Sequence, residues 1–251
     1  MPALFIAHGN PMNALAANAY SADWHDLMAP CPRPSAILVI SAHWETRNSQ
    51  ICAVPRPETI HDFRGFPAEL FAIRYPSPGA PDLASRIARE IPAIALTRDW
   101  GLDHGSWSVL CHLFPEADIP VLQLSLATAL TPAQHYALGR QLQGLRADGV
   151  LVLGSGNIVH NLRRWFSDPD GDTGWAQRFD RAVAGALENR DHAALINYPI
   201  LPEAAHAVPT PEHYLPLLYI AALQQPGEPL RMSRFDDSSL EAICMRSVRI
   251  G

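Results

Sequence analysis

Short apolar runs alternate with longer amphipathic stretches along the whole chain. Ala3–Ala7, Ala36–Ser41, Val121–Leu126 and Val150–Leu153 are apolar runs bounded by Gly, Pro, Ser or Asp. That pattern predicts strands buried on both faces of a sheet. Between and after them, apolar residues recur at three- or four-residue spacing, the period of a helix with one buried face. Pro81–Ile91 places Leu83, Ile87 and Ile91 on one side, and Thr173–Glu188 does the same with Trp175, Phe179, Val183 and Leu187. Thr131–Leu145 opens on Thr131-Pro132, an N-cap followed by proline at the first helical position. Pro211–Leu223 is read as the last helix, with Thr210 as its cap. Strands alternating with helices predict one α/β domain over residues 1–251. Its expected architecture is a central, mostly parallel or mixed sheet flanked by helices, with the site at the carboxyl ends of the strands.

The composition narrows the class. Of 251 residues 48% are hydrophobic and 18% charged, with a net charge of −6. No apolar run approaches a membrane span, and no basic run suggests nucleic acid or an anionic membrane as partner. All 19 basic residues are arginine. Without lysine the chain cannot be a P-loop NTPase, a pyridoxal-phosphate enzyme or a Schiff-base aldolase. Cys31, Cys52, Cys111 and Cys244 are widely spaced with no CxxC pair, and the start of the chain lacks a basic segment. A reducing cytosol is the expected compartment. The 23 prolines stiffen connections such as Tyr75-Pro76-Ser77-Pro78-Gly79, and no internal repeat is apparent.

Placement makes the eleven histidines informative. His8 follows the first predicted strand, His43 the second, and His160 the turn Gly154-Ser155-Gly156-Asn157 after the fourth. Three strands delivering imidazoles to one sheet edge would form a cluster suited to Zn(II), Fe(II) or Cu. The Thr210 helix adds Glu212 and His213, which as neighbours point about 100° apart on a helix. His213 would complete three imidazoles, and Glu212 would complete two imidazoles and a carboxylate. His104, in Leu102-Asp103-His104-Gly105, is an acid-flanked candidate proton donor or oxyanion stabiliser. Nucleotide binding at Gly154-Ser155-Gly156 fails because position 159 is Val, and no GxSxG nucleophile elbow is present. His25, His61, His112, His135, His192 and His206 are left as structural.

Several motifs together resemble a known family. Phe5-Ile6-Ala7-His8-Gly9-Asn10-Pro11-Met12, Ile40-Ser41-Ala42-His43-Trp44-Glu45 and Asp62-Phe63-Arg64-Gly65-Phe66-Pro67 are similar to the class III extradiol ring-cleaving dioxygenases. The 4,5-DOPA extradiol dioxygenase branch is the nearest likeness. Leu102-Asp103-His104-Gly105, Gly154–Asn161 and Pro209-Thr210-Pro211-Glu212-His213 extend it over nearly the whole chain. The resemblance implies one non-haem metal ion bound by His8, His43 and His213. Fe(II) is expected for activity, and Zn(II) is an equally plausible occupant of an all-imidazole site. It implies His160 as the acid/base residue or a fourth metal contact, and His104 on the substrate or oxygen side. The implied substrates are a small aromatic diol and O2, and the implied product a ring-opened semialdehyde. Two departures, Asn10 in place of a common serine and Arg64 in place of a common aromatic, leave these histidines intact. A zinc hydrolase using the same cluster and a non-catalytic metal-binding relative are the rival readings.

Overall fold

Period-two alternation in the long apolar runs sorts their side chains onto two faces. The computed structural model describes residues 1–167, 174–233 and 242–251. Its strands are β1 (Ala3–Ala7), β2 (Ala36–Thr46), β3 (Gln50–Cys52), β4 (Ala95–Thr97), β5 (Val121–Ala127), β6 (Val150–Gly156), β7 (Leu230–Met232) and β8 (Val248–Ile250). They form one mixed sheet in the order β4-β3-β5-β2-β6-β1-β8-β7. The four central strands β5, β2, β6 and β1 are mutually parallel, and antiparallel pairings flank them at β3·β5, β1·β8 and β7·β8.

Phe5, Leu38, Ile40 and Val152 point to one face, Leu4, Ile6, Val39 and Leu153 to the other. Helices Pro81–Glu90, Pro132–Gln141, Gly174–Glu188 and Leu215–Ala222 cover the first face. Ala19–Met28, with Trp24, and His104–Leu113, with Trp107, cover the second. Each fully buried Leu, Ile or Phe contributes roughly 1.5–3 kcal/mol relative to exposure. The result is a single three-layer α/β domain. Among the described residues no helix is long and apolar enough to cross a membrane, and all four cysteines are free thiols.

The predicted strands are all present, and the differences have local causes. β6 continues through Gly154-Ser155-Gly156, which the sequence suggests as a turn, because its glycines let other backbone lie against the strand. The predicted Thr131–Leu145 helix divides at Leu142 into Pro132–Gln141 and Gln143–Ala147, where the Leu142 amide bonds back to the Gly139 carbonyl. Thr131 caps it as expected, in a reciprocal capping box with Gln134. The last helix starts at Leu215 rather than Pro211. Pro216 has no N–H and disfavours helical backbone in the residue before it, so it fits only the first turn. Thr210 is therefore no cap; its hydroxyl donates to Glu212 Oε1 at 2.8 Å. Thr173, the expected start of the Gly174–Glu188 helix, lies outside the described residues.

Candidate active site

The carboxyl ends of β1, β2 and β6 meet at one cavity. β1 ends at Ala7, and the His8 amide bonds to the Gly156 carbonyl at 3.3 Å. The chain then turns through Gly9 at φ +61°, left-handed backbone that favours glycine. Asn10 caps the 3₁₀ turn Pro11–Ala14 by accepting from the Met12 amide. His43 lies within β2 rather than after it. Between Ile40 and Glu45 the β2–β5 register shifts, so five steps along β2 match two along β5, from Leu124 to Leu126. This bulge re-aims His43 into the cavity.

The other imidazoles arrive from outside the regular sheet. His104 is the first residue of the His104–Leu113 helix, capped by Asp103. His160 makes an isolated bridge to Ile243 before the short Leu162–Ser167 helix. Glu212 and His213 sit in the turn before Leu215, so the helical 100° argument does not apply to them. The His213 carbonyl accepts from the Asn157 amide at 2.9 Å. A Cβ at Gly156 would collide with that carbonyl, and one at Gly154 would sit 2.8 Å from the Pro216 carbonyl. Glycines in β6 thus bring His213 onto the sheet.

Five of the histidines named above converge. Ring centroids of His8, His43 and His213 are 5.0, 5.0 and 5.5 Å apart. His104 lies 3.9 Å from His43, and His160 stacks on His213 at 3.5 Å with 8° between planes. The tightest groups of ligand-capable atoms, all within 4.8 Å of one another, are His8–His43–His104 and His160–Glu212–His213. The structure therefore brings the sequence-predicted residues together but packs His104 closer to His8 and His43 than the expected grouping suggests.

Hydrogen bonds set the tautomers. Ser155 Oγ donates to the Gly105 carbonyl at 2.5 Å, so its contact with His8 Nδ1 at 2.9 Å is accepted from an Nδ1–H. His213 Nδ1 donates to Glu212 Oε1 at 3.1 Å. Asp62 accepts both the His104 amide and His104 Nδ1, each at 2.9 Å. Each of these rings consequently presents a bare Nε2. The Nε2 of His213 is buried without a partner, and those of His8 and His43 face each other at 3.1 Å.

Electrostatics oppose protonation of His8, His43, His160 and His213. Burial, then the neighbouring imidazoles, hold His8 well below the usual histidine value. His43 is lowered by burial and by His104 and His213, with Asp62 opposing, and His213 by burial and by His160 and His104. His160 falls to about 4 through burial, against the pull of Glu212, rather than staying near the ordinary imidazole value. Burial acts to raise the Asp62 carboxyl, but its hydrogen bonds to His104 and the charges of His104 and His43 bring it down.

Comparison with known proteins identifies this arrangement. The sequence pattern of the catalytic LigB subunit of aromatic ring-opening dioxygenase matches residues 6–234. The chain belongs to the LigB family. It is an extradiol ring-cleaving dioxygenase, an oxidoreductase. Within that family it is 42% identical to the Escherichia coli K12 protein called 4,5-DOPA dioxygenase extradiol, over 100% of this chain and 95% of that one. It is 40% identical to the protein of the same name from Beta vulgaris, over 85% of this chain and 83% of the other. A crystal structure of an Escherichia coli K12 protein, described as uncharacterised, superposes with a TM-score of 0.84 at 39% identity, covering 100% of both chains.

LigB dioxygenases depend on a metal, and the cluster fits one. Bare, neutral imidazole nitrogens are good donors to a divalent transition ion. The His8 Nε2, which faces His43 Nε2 at 3.1 Å, and the unpartnered His213 Nε2 are the features such an ion would satisfy. Ser155 and Glu212 supply the second bond that orients the imidazoles of His8 and His213, and Asp62 does the same for His104 beside them. Sequence reasoning gave none of the three an orienting role. Asp62 opens the Asp62-Phe63-Arg64-Gly65 motif and Ser155 lies between two glycines, signals that do not reveal their partners. Several remaining histidines have structural bonds, such as His112 Nε2 to the Asn13 carbonyl and His192 to Tyr136 and Gln224.

Proposed function

We propose that the chain opens a catechol-type ring beside its hydroxyl groups with O2, giving a ring-opened semialdehyde. His8, His43 and His213 hold one ion, Fe(II) in the active form. The observation carrying this reading is the convergence of bare Nε2 atoms on a cavity that Phe63, Phe66 and Trp165 also line. When bound, Fe(II) supplies the redox-active Lewis acid that lets O2 react with a closed-shell ring.

The chain's own residues do the rest. Ser155 and Glu212 fix the rings of His8 and His213 so that Nδ1 keeps its proton. Neutral His160, stacked on His213, takes the proton of the second phenolic hydroxyl and returns it during ring opening. His104, its Nδ1–H committed to Asp62, offers Nε2 to the substrate or oxygen side. The aromatic wall holds the ring and excludes water.

Oxygen uptake by protein reconstituted anaerobically with Fe(II), with a zinc-loaded control, tests the reading. We expect iron-dependent uptake and a new visible absorption from the product with at least one catechol. Stoichiometric iron without uptake on any catechol would overturn it in favour of a zinc hydrolase. Metal content separates the ligands: His213→Ala should lose the ion while His104→Ala keeps it. The reverse result would move the third ligand to His104, as the compact His8–His43–His104 group would suggest.

A further inference from the structure

The cavity measures about 600 Å³, more than a bare diol ring fills. Its inner end is the histidine cluster. Its outer part is walled by Phe63, Phe66, Leu162, Phe166, Ile243 and Met245. The apolar wall starts one ring from the chemistry: Phe63 meets His104 edge-on at 5.5 Å, and Phe66 packs on Phe63 at 5.2 Å. Leu162 and Phe166 lie on the short Leu162–Ser167 helix, which buries none of its residues. Phe166 is 77% exposed and Leu162 44%, an unusual state for large apolar side chains that face a cavity. The one carboxylate among the described lining residues is Glu212, and no arginine is among them. The chain has no lysine to supply a cation instead.

We propose that this outer part of the cavity is an apolar subsite for an uncharged hydrocarbon substituent on the catechol ring. The inference rests on the ring-cleavage function proposed above and names its substrate class. Seated with its diol at the histidines, a substrate directs a substituent along Phe63 and Phe66 toward Phe166. An alkyl or aryl group removes its own surface and that of Phe166 and Leu162 from water. A carboxylate-bearing chain instead loses its hydration beside Glu212 with no cation among the described lining residues to replace it. The preferred substrate is therefore a catechol with a hydrocarbon substituent rather than one with a purely anionic chain.

Calorimetric titration of zinc-loaded protein under nitrogen tests this without turnover, since zinc does not cycle redox states. The probes are catechol, 4-propylcatechol and 3-(3,4-dihydroxyphenyl)propionate, the last two matched in chain length. We expect 4-propylcatechol to bind at least about tenfold tighter than catechol, at roughly threefold per buried methylene. We expect the propionate to bind at least about tenfold weaker than 4-propylcatechol. Phe166→Ala should shrink the ratio between 4-propylcatechol and catechol by about threefold or more. Because Phe166 is exposed, folding should survive the change. Equal affinity for catechol and 4-propylcatechol, or tighter binding of the propionate than of 4-propylcatechol, would overturn the subsite while leaving ring cleavage standing. Catechol binding no better to zinc-loaded than to metal-free protein would overturn the ring-cleavage reading, and the subsite with it.

Discussion

The two halves of the histidine cluster are held in place differently. His8 directly follows β1 and His43 lies in the bulge of β2, two strands that are laddered to neighbours on both sides before they reach the site. His160 and His213 ride on segments outside the ladder. Their backbones are tied by single hydrogen bonds such as Asn157 to His213 and His160 to Ala207, and by the close approach that Gly154 and Gly156 allow. The strand half is joined directly to the core ladder, whereas the loop half depends on a few contacts that can change without unfolding the sheet. A site built this way takes its precision from the strands and its adjustability from the loops.

The contact at Gly156 is where that contrast breaks most severely. Gly156→Ala puts a methyl group onto the His213 carbonyl, so backbone must move. We expect a stability loss of about 2–4 kcal/mol by urea denaturation and a protein that folds but binds metal poorly. Wild-type metal content in this variant would show that the loop half is placed by something else. Orienting residues sharpen the comparison at a smaller scale. Glu212→Gln should weaken metal affinity by about 10–100-fold in competitive chelator titrations. Ser155→Ala should cost less, because the strand continues to aim His8. Equal losses would argue that both halves rely on side-chain bonds alike.

The smallest effect concerns the helix that anchors the loop half. Tyr219, on Leu215–Ala222, bonds His135 Nδ1 at 2.9 Å, and His135 Nε2 is buried without a partner. Burial lowers His135 to about 4, so the folded state refuses a proton that the unfolded chain accepts near 6.5. Stability is then full above that value and falls as pH drops toward 4. At pH 6 the loss from this group is about 1 kcal/mol. Denaturation of wild type and His135→Gln at pH 7.5 and pH 6 should differ in slope by that amount, and parallel slopes would remove His135 as the cause.

Legibility in the sequence follows the same division. The central strands, His8 and His43 could be read because long apolar runs ending in Gly, Pro or Ser mark buried parallel strands. β3, β4, β7 and β8 have three residues each, too few for any alternation to register. Glu212 and His213 read as candidates on a helix, since Thr210-Pro211 imitates a helix start, whereas Pro216 is the stronger signal. Asp62 is far from His104 in sequence, and no local pattern could pair them. Gly154-Ser155-Gly156 resembled a turn because glycine is a poor strand former, whereas its smallness serves a neighbour that the sequence does not reveal.

The bulge in β2 also constrains how this protein can change. Between Ile40 and Glu45 the strand carries three more residues than β5 opposite it, an odd number, and side chains on a strand alternate with period two. Losing a single codon from this stretch would turn either His43 or the Glu45–Thr46 end to the opposite face, and losing all three would erase the bulge. Only a two-residue change keeps both His43 and the strand end on their present faces, so the length of this segment is free to vary in even steps alone.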